Sequence, residues 1–186
     1  MEVRFDYLEG APGLFRAMMG LEEYLRNCSI DHRLIHLIKL RASQINGCAY
    51  CLDMHWKDLK AIGEDEQRMY ELNAWRESPF YTDRERAALE WTEAVTCVST
   101  THVPEDVYQH VKKHFSQQEI ADLTGAIATI NAWNRLAIAS RAVPGKYQPI
   151  QAAQQQRPSV QTGHRYSETT QPSSAEHAKE REQTVR

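Results

Sequence analysis

Apolar residues recur every three or four positions through most of the first 147 residues, and no stretch keeps the period of two that a strand requires for long enough to argue a sheet. After an extended lead-in over residues 1–10, Pro12 with Leu14, Phe15, Met18, Met19, Leu21 and Leu25 predicts a first helix ending near Asn27. Its methionine-rich face is expected in the core or a subunit interface. Asp31 is the expected N-cap of a second helix, whose Leu34, Ile35, Leu37, Ile38 and Leu40 form a thick apolar face up to about Ile45. Asn46-Gly47 interrupts that run. A third helix then starts at Cys48 and continues without Pro or Gly to Gly63, a suitable C′ residue. It carries Trp56 and Leu59, with Lys57, Asp58 and Lys60 expected on the solvent side.

Glu64-Asp65-Glu66 makes an acidic first turn for a fourth helix with Met69, Tyr70, Leu72 and Trp75 buried, ended by Ser78-Pro79. Thr82-Asp83-Arg84-Glu85 reads as a capping box opening a fifth helix to about Cys97, with Ala87, Ala88, Leu89, Trp91, Ala94, Val95 and Val98 as its buried positions. Pro104 sits at N1 of a sixth helix ending near Phe115. Ser116-Gln117-Gln118-Glu119 is a second capping box, and the helix behind it runs to about Arg141. Its nearly unbroken apolar and small residues, among them Ile120, Leu123, Ile127, Ile130, Leu136 and Ile138, place it at the centre of a bundle. The fold class is therefore all-α, a single-domain helical bundle over residues 1–147, closed by Pro144-Gly145. From about Gln148 large apolar side chains almost vanish, and residues 148–186 are expected to form a disordered polar tail.

A length of 186 residues suits one such domain. A net charge of −3 disfavours nucleic acid as a partner. No apolar run approaches the about 20 residues that span a bilayer. The opening Met1-Glu2-Val3-Arg4-Phe5-Asp6 does not read as a secretory signal, so a cytoplasmic location is expected. Stable disulfides are rare there, and four cysteines then point to redox or metal chemistry.

Cys48-Ala49-Tyr50-Cys51 is a C-x-x-C pair, followed four residues later by His55. Residues three, four and seven apart share a helix face, so Cys48, Cys51 and His55 are neighbours. A helix N-terminus, a neighbouring imidazolium and a second cysteine each lower a thiol pKa from about 8.5. One cysteine can attack an oxidant, the other can close a disulfide on it, and His55 can relay the proton. Other readings stand beside this one. Haem attachment requires histidine directly after the second cysteine, where Leu52 stands. Zinc needs four ligands, and His36 on the preceding helix could complete a Cys₂His₂ set with Cys48, Cys51 and His55. Glu93 is a carboxylate on an otherwise apolar helix, either part of the relay or held in a salt bridge. His110 and His114 are spaced to bind a metal, but they stand among Lys112 and Lys113 on what reads as a solvated face. Cys28 and Cys97 read as small buried residues.

The chain resembles the alkylhydroperoxidase D-like branch of the carboxymuconolactone decarboxylase superfamily. The resemblance rests on Ser43-Gln44-Ile45-Asn46-Gly47-Cys48-Ala49-Tyr50-Cys51 with His55, on Trp75-Arg76-Glu77-Ser78-Pro79, and on Glu85 to Glu93. Asn131-Ala132-Trp133-Asn134-Arg135-Leu136-Ala137 and Pro144-Gly145 complete it. It implies an all-α protein, usually a trimer or hexamer, with thiol-dependent peroxidase activity and no cofactor. In that chemistry Cys51 attacks a hydroperoxide, Cys48 resolves the product as a disulfide, and an external dithiol restores both thiols. Thioredoxin-like motifs use the first cysteine as nucleophile, which would reverse the two roles. Members of the family commonly carry a relay glutamate twelve residues before the first cysteine, where this chain has His36. An imidazole there can pass protons but gives His55 no fixed negative charge. The resemblance leaves two rivals: a lactone decarboxylase, and a non-enzymatic helical oligomer that binds zinc or uses the disulfide as a switch. Trp133, Asn134 and Arg135 are expected to serve helix packing or the subunit contact.

Overall fold

The computed structural model describes residues 2–149, which are helical with no strand among them. The tail expected at 148–186 lies outside the described residues except for its first two positions. Nor is any helix among the described residues long and apolar enough to cross a membrane. Asp6 caps a one-turn helix α1, Tyr7–Gly10, by accepting from the Leu8 and Glu9 N–H groups, where an extended lead-in was expected. Then follow α2 (Pro12–Arg26), α3 (His32–Asn46), α4 (Ala49–Ala61) and α5 (Glu66–Tyr70). After a 3₁₀ turn at Leu72–Ala74 come α6 (Asp83–Thr96), α7 (Val98–Thr101), α8 (Glu105–Lys112) and α9 (Gln117–Ser140).

The boundaries follow from local chemistry. The Asp31 carboxylate accepts from the Arg33 and Leu34 N–H groups at the start of α3. Both capping boxes are formed, Thr82 with Glu85 and Ser116 with Glu119. The fourth helix is shorter than expected and Tyr70 is 65% exposed, not buried. Met69, Leu72 and Trp75 are the residues that bury there, at a strict spacing of three. A 3₁₀ turn aligns that spacing and an α-helix does not, so the chain tightens after Tyr70. Val98 and Ile138 are likewise exposed rather than buried. Val98 lies beyond the end of α6, and Ile138 lies in the last turn of α9 on the face away from the buried Ala137 and Ser140.

Helix α9 packs against α2, α3, α4, α6 and α8, and α3 packs against α4, α6 and α9. Between them lies the apolar core, with Leu37, Ile38, Leu59, Leu72, Leu89, Leu123 and Ile127 essentially sealed from solvent. Truncating one of these to Ala costs about 2–5 kcal/mol. A polar seam crosses this packing beside the C-x-x-C turn. The buried Asn134 amide donates to Ser43 Oγ (3.1 Å) and its carbonyl accepts from Asn46 Nδ2 (2.8 Å). Asn46 also donates to Asn131 Oδ1 (3.0 Å), and Asn131 Nδ2 donates to Thr96 Oγ1 (3.2 Å). Asn134 therefore ties α9 to the end of α3.

Replacing Asn134 by Leu removes two hydrogen bonds from the seam, the one it donates to the buried Ser43 Oγ and the one it accepts from Asn46, which keeps Asn131 as its other acceptor. The expected loss is about 1–3 kcal/mol, read as a lower urea midpoint at unchanged slope.

Candidate active site

The site begins where α3 ends. Gly47 takes the left-handed conformation (φ 68°), which a residue with a Cβ adopts only at a cost. The Gly47 and Cys48 N–H groups donate to the Gln44 and Ser43 carbonyls (3.3 and 3.0 Å), so the last turn of α3 closes on the residues that start α4. Cys48 is the N-cap of α4, and its Sγ accepts from the Cys51 N–H (3.4 Å). The two cysteine Cα atoms are 5.4 Å apart and the sulfurs are joined in a disulfide. Both sulfurs thus sit at the positive end of a 13-residue helix. They are buried among Ala42, Ile130 and Ala137, with Tyr50, Trp133 and Ala142 packed against them.

His55 lies on the next turn of α4 and is buried. Its Nδ1 faces His36 Nδ1 from α3 at 3.5 Å and Asp58 Oδ2 at 3.6 Å. His36 Nδ1 is also 3.6 Å from that Asp58 oxygen. The other Asp58 oxygen accepts from the Tyr147 hydroxyl (2.6 Å). Tyr147 belongs to a strap laid over α4 after α9 ends. Lys57 Nζ donates to the Gly145 and Tyr147 carbonyls (3.1 and 3.2 Å), and the Gly145 N–H donates to Asp53 (2.9 Å). Behind the site Lys39, almost fully buried, pairs with Glu22 from α2 at 2.6 Å, and Trp133 Nε1 donates to the same carboxylate (3.0 Å).

Burial governs the titration of the two imidazoles. It disfavours the cation of His55, and it pushes His36, with the help of neighbouring His55, down to about 4. Burial works the other way on Asp58, but His55 and the Tyr147 hydroxyl outweigh it and hold that carboxyl below the usual range. At neutral pH the group is two neutral rings and one carboxylate.

Of the residues singled out from sequence, Cys48, Cys51 and His55 share α4, and His36 joins His55 from α3. Glu93 stands elsewhere: it takes hydrogen bonds from Arg41 Nε (2.9 Å), Trp75 Nε1 (2.8 Å) and Arg76, and bonds to none of the cysteines or His55 among the described residues. In the disulfide state the two sulfurs are bonded to each other, and the imidazoles meet Asp58 instead. His110 Nδ1 donates to the Glu90 carboxylate (2.6 Å), with His114 beside it. Asp58, expected on the solvent side, turns inward, its side chain 11% exposed. A local signal for it existed, since Cys51, His55 and Asp58 are spaced four and three apart and share one face. Glu22 and Tyr147 arrive from distant segments and had none. A surface cleft of about 370 Å³ beside α4 is lined by Leu40, Leu52, Trp56 and Met69 among others, but by neither cysteine nor His55.

Residues 12–94 match the sequence pattern of the Carboxymuconolactone decarboxylase family. The uncharacterized protein YdfG of Bacillus subtilis (strain 168) is 44% identical over 139 residues, which is 75% of this chain and 95% of that one. The chain belongs to the carboxymuconolactone decarboxylase family. It is an AhpD-like member of it. A crystal structure of a protein of unknown function from Agrobacterium tumefaciens, suggested to be the antioxidant defence protein AhpD, superposes with a TM-score of 0.76 at 45% identity, covering 78% of this chain and all of that one. At 21% identity the fold is shared with the debrominase Bmp8, solved with 2,3,4-tribromopyrrole, at a TM-score of 0.68 over 75% of this chain and 74% of the other. The fold of this chain is therefore shared by the Agrobacterium tumefaciens protein and by a debrominase.

The Glu93 knot carries a pH prediction. Burial opposes its ionisation, but hydrogen bonds from Trp75, Arg76 and Arg41 prevail and hold its pKa below the ordinary value. The stabilisation is present above the unfolded carboxyl pKa of about 4.3 and is lost as pH falls through the lower folded value. Urea midpoints of wild type and Glu93→Gln, measured from pH 7 to pH 3, converge at the acid end as wild type alone loses this stabilisation.

Proposed function

We propose that this family member is a thiol-dependent peroxidase that reduces organic hydroperoxides through a Cys48–Cys51 disulfide cycle. The observation that supports it most is the sulfur pair at the start of α4, with His55 one turn on and Asp58 behind that ring. His55 is neutral and can accept the Cys51 proton on its Nε2. Asp58, facing Nδ1, favours the resulting imidazolium. Asp58 thereby supplies the fixed negative charge that His36 does not.

The Cys51 thiolate attacks the terminal oxygen of the hydroperoxide. The O–O bond breaks, the sulfur becomes a sulfenic acid, and the alkoxide leaves as an alcohol with the proton from His55. Cys48 then forms the S–S bond and expels the sulfenic oxygen as water. An external dithiol, on a protein or a small molecule, attacks Cys51 with one sulfur, and its second sulfur then closes the donor's own disulfide and frees Cys51, so that two electrons and two protons are returned. Cys48 leaves as the thiolate, which the Cys51 N–H at the helix start favours. This cycle needs a reducing compartment, in keeping with a cytoplasmic place of action. Exposed Phe5, Leu8, Leu14, Met19 and Leu21 along the N-terminal segment and α2 support assembly with further copies of the chain, as trimers or hexamers.

With a dithiol donor and an organic hydroperoxide, Cys51→Ser is expected to abolish turnover, and Cys48→Ser to consume at most one equivalent per chain. Asp58→Asn is expected to lower kcat about 10²-fold or more, the ordinary worth of a supported general base. Multiple turnovers by Cys51→Ser would reverse the two sulfur roles. Lactone turnover by a protein lacking both cysteines would replace peroxidase by decarboxylase chemistry.

A further inference from the structure

We infer that His36, His55 and Asp58, whose Nδ1, Nδ1 and Oδ2 atoms converge between α3 and α4, form a binding site for one divalent transition metal ion of the zinc type. The three atoms are 3.5, 3.6 and 3.6 Å apart, a nearly equilateral triangle. Those edges are longer than the about 2.8–3.0 Å of a good hydrogen bond. Two ring nitrogens and one carboxylate oxygen converge at those distances, so hydrogen bonding alone leaves the convergence weakly satisfied. An ion is another matter. A point in the plane of the triangle lies ~2.1 Å from each corner, which is the zinc–nitrogen and zinc–oxygen bond length.

The surroundings suit an ion as well. The Asp58 oxygen that does not face the triangle accepts from the Tyr147 hydroxyl, the kind of support that orients a ligating carboxylate. The His55 and Asp58 side chains are 7% and 11% exposed, while His36 is 28% exposed and leaves a side from which an ion can approach. Two nitrogens and one carboxylate oxygen suit zinc and its first-row neighbours rather than calcium or magnesium. Three protein ligands leave a coordination position for water. The set differs from a Cys₂His₂ site because it uses neither sulfur and exists with the disulfide closed.

An ion on His55 Nδ1 leaves the ring with a proton on Nε2 and no lone pair to act as base. On the peroxidase reading above, and only on it, zinc therefore inhibits turnover.

The test uses the full-length protein, stripped with chelator and with its disulfide intact, dialysed against zinc and separately against cobalt(II). The expected result is one ion per chain at the site. Cobalt should show visible d–d bands without the near-ultraviolet band of a cobalt–thiolate bond. His36→Gln and Asp58→Asn should each weaken zinc binding by about 10-fold or more. His36 is the more exposed ligand, and retention of helical circular dichroism in His36→Gln shows that a loss of affinity is not a loss of fold. Binding that both folded variants retain in full, or that appears only after reduction with a thiolate band, overturns the site. So does the lack of any stoichiometric binding. Peroxidase turnover is assayed on the same samples. Zinc binding by a protein with no turnover in its metal-free form leaves the site standing and removes the peroxidase reading. Turnover without zinc binding does the reverse. Turnover in zinc-loaded protein equal to that of the stripped protein overturns the shared role of His55.

Discussion

Everything at the site depends on one left-handed residue. Gly47 allows α3 to end and α4 to begin with only Gly47 and Cys48 between them. The residues before the turn, Ser43 and Asn46, are tied to Asn134 on the central helix. The first residue after it is the N-cap cysteine. A longer connection would place the sulfurs on a loop, free of the helix dipole and of the register that brings His55 to the next turn. A Cβ at position 47 would meet no neighbouring atom, so the requirement is on backbone conformation and not on space.

That short turn also sets α3 and α4 side by side, and polar side chains from both helices then have to share a buried seam. His36, Lys39 and Ser43 follow one another on α3 at spacings of three and four. Each finds a partner: the His55–Asp58 pair, Glu22 and Asn134 respectively. An unpaired Lys39 in this position would be costly, which explains why Glu22 is drawn in from α2 and is itself held by Trp133. The family-typical Trp133 and Asn134 thus act on the site from behind, one through the ion pair and the other through the turn.

How much of this was legible in sequence depended on range. Asp31, Thr82 and Ser116 announce helix starts because a cap acts within three residues of itself. The C-x-x-C and His55 were legible for the same reason. An α-helical period places Tyr70 inside, whereas burial at Met69, Leu72 and Trp75 demands a tighter turn that leaves it exposed. Asp58 is hidden in the sequence for a subtler reason. Flanked by Lys57 and Lys60, it looks like part of a charged surface, although its spacing from Cys51 and His55 places it with them. The Tyr147 contact and the Glu22–Lys39 pair join residues far apart in the chain and depend on the packed bundle, which no local pattern encodes.

Histidine at position 36 ceases to look like a defect once Asp58 is placed. A carboxylate at position 36 would share the space behind His55 with Asp58, and the two would repel each other in a poorly solvated setting. With Asp58 already there and held as an anion by His55 and the Tyr147 hydroxyl, a neutral ring at 36 avoids a second buried charge. The negative charge beside His55 sits on α4, and the strap that carries Tyr147 across α4 is part of the site's electrostatics. The segment after α9 is therefore bound to the site by chemistry as well as by packing, through a phenol that keeps one oxygen of Asp58 occupied and leaves the other facing two imidazoles.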